Sequence, residues 1–177
     1  IVRLVARQAA ARANRPWVID PVMIATSGAA LLAEDAQRSV RDELLPRATL
    51  LTPNIPEAEA LLGRRIRGLK DMEPAARELL RLGPQAVLLK GGHMRGSEVV
   101  DLYLDASGGR EFRAPRQRFN GHGTGCTLAS LCAARLALGE PSARAVENAV
   151  SAFRRALASG VRVGRAAVYV PYPLREA

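Results

Sequence analysis

Three short aliphatic runs, each closed by a polar residue beside proline or glycine, constrain this chain more than any other feature. Trp17-Val18-Ile19 ends at Asp20-Pro21, Ala48-Thr49-Leu50-Leu51-Thr52 ends at Pro53-Asn54, and Ala86-Val87-Leu88-Leu89-Lys90 runs into Gly91-Gly92. Runs this short, apolar without alternation, suit strands buried on both faces, as in a parallel sheet. The segments between them carry helical spacing. Residues 1–14 repeat apolar positions at Ile1, Leu4, Val5 and Ala9 and stop before Arg15-Pro16, and residues 31–44 show the same period. Residues 57–62 open a helix after Pro56, and residues 71–82 form another that Gly83-Pro84 stops.

Strand, helix, strand, helix, strand predicts parallel βαβ units with right-handed crossovers. Residues 99–105 and 111–114 flank Ser107-Gly108-Gly109 and interrupt the alternation with an expected hairpin. The Ala-rich stretch 127–138 and the stretch 142–158, which has few breakers, are read as long helices. A length of 177 residues, with no repeat or low-complexity linker, predicts a single domain over 1–177. Because 48% of residues are hydrophobic and only 4% aromatic, the core must be built from Ala, Leu and Val, which favours helices against an aliphatic sheet.

A net charge of +9 raises the question of nucleic acid, but its distribution answers it. Lys70 and Lys90 are the two lysines, the arginines are scattered, and no basic stripe is interleaved with stacking aromatics. No nucleic-acid partner is expected; an arginine-rich proteome explains the surplus, and a polyanionic nucleotide tolerates it. No apolar run reaches the roughly 18 residues of a membrane span, and the first residues lack a signal-peptide pattern, so no membrane partner and a cytoplasmic location are expected. Cys126 and Cys132 are six apart, which matches neither a redox pair nor a metal-ligand spacing.

In open parallel sheets chemistry gathers at the carboxyl ends of strands. Gly121, Gly123 and Gly125 precede the Ala-rich helix, where open amides and the positive dipole end can bind an anion, although such glycines also serve plain steric capping. A lysine straight after Val-Leu-Leu needs an anion or water for its ammonium; a phosphate supplies one, and snorkelling into solvent is the alternative. Asp20 and Glu57 supply the oxygen ligands that Mg²⁺ takes from proteins. Asn54 is equally a turn residue and Glu57 an ordinary first-turn acid.

Together these endings resemble the ribokinase-like family, with wording nearest its hydroxymethylpyrimidine kinase branch. Over residues 17–160 the DPVM, TPN-x-x-E, KGGH and HGTGCT segments, beginning here at Asp20, Thr52, Lys90 and His122, occur in the family's order. The resemblance implies a ribokinase-like α/β fold, a mostly parallel sheet flanked by helices on both faces. It implies phosphorylation of 4-amino-5-hydroxymethyl-2-methylpyrimidine and then of its monophosphate in thiamine biosynthesis, with ATP as co-substrate and Mg²⁺ as cofactor. Gly123, Thr124, Gly125 and Cys126 would form the anion hole. Lys90, Gly91, Asn54, Thr124 and Gly125 would face the nucleotide phosphates, Asp20 and Glu57 the metal, and Val22 and Cys126 the pyrimidine.

Cys126 stands where most of the superfamily, pyridoxal kinases included, has an aspartate that takes the substrate proton. At a helix N-terminus a thiolate is favoured, so Cys126 is a candidate base or hydrogen-bond acceptor, or else a small apolar wall. Cys132 is expected in the core, His122 as an orienter of the loop or of the phosphate, and His93 as a solvated turn residue. The chain departs from the family in having Gly121 for the usual threonine and in lacking the opening strands and glycine-rich segment, so it is expected to be the C-terminal two-thirds of the domain, N-terminally incomplete. A nucleotide-binding non-catalytic remnant and a pyridoxal kinase are the alternatives. Because absent strands would leave a sheet edge uncovered, a homo-oligomer is expected.

Overall fold

A computed structural model describes residues 1–23, 31–117, 123–159, 161–163 and 167–169. They fall into two compact units, Ile1–Pro115 and Arg116–Ala177.

In the first unit a five-stranded sheet runs in the order β1 (Val18–Ile19), β2 (Leu50–Leu51), β3 (Ala86–Leu89), β4 (Glu98–Asp105), β5 (Gly108–Pro115). The expected parallel arrangement holds over β1, β2 and β3, with Ile19 opposite Leu51 and Leu51 opposite Val87. From β3 onward the pairing is antiparallel, so the sheet is mixed. The division follows from the connections: helical crossovers return the chain to run parallel, whereas the helix-free link 90–97 and the two-residue turn after β4 reverse it. All four β3 residues are buried, as the unbroken Ala-Val-Leu-Leu run requires. β5 is mostly exposed at the sheet edge and carries Arg113 paired to Glu111 at 2.7 Å and to Glu98 at 3.5 Å, charges that discourage another strand from adding there.

The helices of this unit are α1 (Val2–Ala11), α2 (Glu34–Ser39), α3 (Ile55–Leu62) and α4 (Leu69–Leu80). In α4 the buried residues Met72, Ala75, Ala76 and Leu79 recur at helical spacing and join Val87, Leu89, Leu102 and Leu104 in one core. Gly63, in the left-handed region at φ 68°, ends α3.

Several boundaries differ from the sequence reading. The expected helix over 31–44 is α-helical only from Glu34 to Ser39 and continues as a π-helical turn, Val40–Leu44, and a 3₁₀ turn, Leu45–Arg47. Pro46 has no N–H to donate to the fourth residue back, which forbids a regular ending. The hairpin turns at Ala106-Ser107, with Gly108 already opposite Asp105; the Asp105 carboxylate fixes it by accepting from Ser107 N, Ser107 Oγ and Gly108 N. The Ala-rich helix begins at Thr124, three residues earlier than expected.

The second unit consists of α5 (Thr124–Ala137) packed on α6 (Ser142–Ala158), together with an antiparallel pair, β6 (Val161–Val163) and β7 (Ala167–Tyr169), that hydrophobic patterning does not announce. Leu128, Ala129, Cys132 and Leu136 of α5 are buried, as are Ala145, Val146, Ala149 and Val150 of α6; small residues at such spacing let two helices approach closely. Cys132 is the core residue expected. No helix among the described residues is long and apolar enough to cross a membrane.

Since Leu79 is fully buried at the centre of the α4 stripe, Leu79→Ala is expected to lower stability by about 2–5 kcal/mol, read as a lower urea midpoint at unchanged slope.

Candidate functional site

Because β1, β2 and β3 are parallel neighbours, their carboxyl ends emerge side by side, and the residues that close the three aliphatic runs meet there. The backbone makes the first connections. Thr52 N donates to Ile19 O at 2.9 Å, Lys90 N donates to Pro53 O at 2.8 Å, and Asn54 and Lys90 form a single parallel bridge beyond the strands.

On this frame Lys90 Nζ donates to Asp20 Oδ1 at 2.7 Å, joining two residues 70 positions apart. The lysine side chain is 11% exposed and the aspartate 16%, so the ammonium does not snorkel into water but is paired inside the protein. Fully buried Thr52 donates its hydroxyl to the same Asp20 oxygen at 3.1 Å. A buried charge is tolerated when it is paired and hydrogen-bonded, and both conditions hold.

Asn54 and Glu57 form a reciprocal capping box at the start of α3. Glu57 N donates to Asn54 Oδ1 at 2.9 Å, and Asn54 N donates to Glu57 Oε2 at 2.8 Å. The sequence alternatives of a turn residue and a first-turn acid are thus realised, while Glu57 is also brought to the rim that holds Asp20 and Lys90. Burial raises the Glu57 pKa above the ordinary glutamate value; the Asn54 amide and the Lys90 charge oppose that rise, and the Asp20 charge adds to it.

Gly91 is buried and its amide donates to Asp101 Oδ1 at 2.9 Å. A Cβ there would lie 2.0 Å from Val100 O, so no residue but glycine fits without moving the backbone. Val22 is exposed beside Asp20, and His93 is exposed in the turn after β3, as its expected solvated role requires.

In the second unit Gly123 takes φ 81° at the N-cap of α5, and Thr124, Gly125 and Cys126 form the first helical turn. Thr127 Oγ1 and Thr127 N both donate to Gly123 O at 2.9 Å, which closes that turn. Thr124 and Gly125 therefore sit where helix geometry gives an amide no acceptor within the helix, and Cys126 is exposed at the third position. Gly121 and His122 lie outside the described residues.

Two residues on the first rim escaped the sequence reading. Thr52 was visible as a hydroxyl directly after Leu-Leu. Asp101 was visible as a lone acid inside the run Val-Val-Asp-Leu-Tyr-Leu.

Residues 1–171 match the family model described as phosphomethylpyrimidine kinase. A hydroxymethylpyrimidine/phosphomethylpyrimidine kinase of Rhizobium meliloti is 44% identical over 156 residues, which are 86% of this chain and 58% of that protein. The crystal structure of a phosphomethylpyrimidine kinase from Clostridium difficile superposes with TM-score 0.77 at 34% identity, over 88% of this chain and 63% of that one. The pyridoxal kinase of Staphylococcus aureus in complex with ADP superposes with TM-score 0.85 at 28% identity, over 97% of this chain and 64% of that one. The chain thus spans somewhat under two-thirds of the length of these relatives.

Between the ordinary glutamate value and the raised one, folded chains keep a proton on Glu57 that unfolded chains have released. Stability contributed by this group is therefore full below that window and lost as pH rises through it. Glu57→Gln keeps an acceptor for the Asn54 amide and cannot ionise. Chemical denaturation across pH is expected to show a smaller loss of stability through the window for the variant than for the parent. Asn54→Ala, which loses the cap, is expected to cost about 1 kcal/mol.

Proposed function

Because the chain belongs to the phosphomethylpyrimidine kinase family, we propose that it is the nucleotide-handling part of one kinase domain that transfers the γ-phosphoryl group of ATP to 4-amino-5-hydroxymethyl-2-methylpyrimidine, and then to the resulting monophosphate, in thiamine biosynthesis. The observation that carries the reading is the Lys90–Asp20 pair at adjoining parallel strand ends, with Glu57 capped beside it. A structural lysine would more cheaply be an apolar residue, so a charge held at a strand rim is better explained by chemistry with phosphates.

In this reading the hydroxyl oxygen of the pyrimidine attacks the γ-phosphorus, its proton passes to a base, and ADP leaves. The second round replaces the hydroxyl by a phosphate oxygen. Positioning and charge stabilisation supply most of the acceleration. Lys90 faces the nucleotide phosphates with Asn54, whereas Gly91, buried with its amide given to Asp101, shapes the backbone beside Lys90. The amides of Gly123, Thr124, Gly125 and Cys126 stabilise charge on the transferred group, and the Cys126 thiolate accepts the proton or a hydrogen bond from the substrate. Val22 and Cys126 line the pyrimidine side.

The donor set suits magnesium. Asp20 and Glu57 each have one carboxylate oxygen that no described residue engages, and the described residues contain no cluster of three metal-binding side chains. Two carboxylates with water and nucleotide oxygens complete a magnesium shell. When bound, the ion would neutralise phosphate charge. A cytoplasmic location and self-association belong to the same proposal; β1 is paired on one side only among the described strands.

Likeness to the S. aureus pyridoxal kinase over 97% of the chain favours a second reading, phosphorylation of pyridoxal. Cys126 in place of an aspartate argues for the pyrimidine. ATP-dependent turnover of the two alcohols decides between them, and ATP binding with neither turned over identifies a non-catalytic remnant.

Pro56 already occupies the second position of α3, so the second position of α5 should tolerate proline as well. Gly125→Pro deletes one amide donor there and is expected to lower kcat by roughly 10²–10³-fold with KM for ATP little changed. Lys90→Met is expected to abolish turnover and to raise the Kd for ATP, measured by calorimetry.

A further inference from the structure

Asp101 lies in the middle of β4, 9% exposed, and the reading above gives it no part. An acid inside an antiparallel ladder, with Phe112 opposite it, is costly unless its oxygens are used. One of its bonds is that from the Gly91 amide at 2.9 Å. This amide lies beyond the last β3 residue, where the sheet ladder no longer supplies a backbone acceptor.

The peptide next to it is held from the opposite side. Lys90 N donates to Pro53 O, so the Lys90–Gly91 backbone is tied towards β2 by one amide and towards β4 by the next. A third restraint is steric, since Val100 O occupies the space a Cβ of Gly91 would need. A lysine side chain has four rotatable carbons, and a 2.7 Å contact with Asp20 from inside the protein demands a fixed starting point.

We propose that Asp101 is a positioning residue. By holding the Gly91 amide, its carboxylate sets the backbone from which Lys90 delivers its ammonium to Asp20. That the same placement serves nucleotide phosphates rests on the function proposed above.

The chain has two lysines, which makes the test direct. Lys70 is exposed in the first turn of α4 and serves as an internal standard for Lys90. Trace acetylation with acetic anhydride, followed by mass spectrometry of the peptides, gives both rates in one sample. In the parent, Lys90 is expected to react roughly tenfold more slowly than Lys70, and in Asp101→Ala the difference is expected to shrink to about twofold. Asp101→Asn keeps an acceptor oxygen and is expected to restore most of the protection. Leu79→Ala, a core variant with no contact to this amide, is expected to leave the ratio near that of the parent.

Unchanged protection in Asp101→Ala, equal loss in Asp101→Asn, or equal loss in Leu79→Ala overturns the inference. Should Asp101→Ala not fold, hydrogen exchange at the Gly91 amide decides. Slow exchange in the parent and in Asp101→Asn supports the bond, and exchange at the rate of an open turn overturns it. Calorimetry with ATP on the same proteins separates the two levels. A parent that binds no ATP removes the nucleotide role, while the acetylation ratio still decides whether Asp101 places Lys90.

Discussion

An ammonium and a carboxylate held 2.7 Å apart at the ends of two strands that are not themselves neighbours is the interaction on which the first unit depends. Lys90 leaves β3 and Asp20 leaves β1, and β2 lies between them, so the pair closes across a strand rather than along one. Neither charge has enough water to stand alone, and truncating one partner of a buried pair usually costs about 3–5 kcal/mol because the other is left stranded. The parallel register sets the two strand ends side by side with β2 between them, and the Thr52 hydroxyl shares the Asp20 oxygen that Lys90 meets. The ribokinase-like α/β fold thereby concentrates at one rim the groups that its aliphatic strands could not bury unpaired.

Much of this was legible in the amino-acid order. Residues 17–19, 48–52 and 86–90 read as buried strands because their apolar runs are too short for helices; the strands form within them, at Val18–Ile19, Leu50–Leu51 and Ala86–Leu89, and the polar residue closing each fell where parallel strands end. Asn54 as a turn residue and Glu57 as a first-turn acid were read singly, and the structure joins them in a reciprocal capping box. α6 was legible to the residue, since nothing in 142–158 competes with a helix.

What could not be read depends on contacts distant in sequence. The carboxylate that Lys90 meets is 70 residues away, and the register of three strands is what brings Asp20 to it. Asp101 looked like an interruption in a strand until the antiparallel pairing placed it beside Gly91. The glycines before α5 suggested a loop because glycine is a poor helix former, yet in a first turn that penalty is small and the helix extends over Gly125. The π-helical turn at Val40–Leu44 has no local signature; it keeps Val40, Leu44 and Leu45 buried just ahead of a proline that no regular helix could absorb.

The two adjacent glycines after β3 face opposite fates under mutation. At position 91 every other amino acid brings an atom into the carbonyl of Val100, so architecture alone forbids drift there, whatever the protein is used for. At position 92 the same added atom would meet nothing within 4 Å among the described residues. Should homologues keep glycine at both places, the constancy of the first is a matter of how the polypeptide is built. That of the second would need a cause other than the packing of these neighbours.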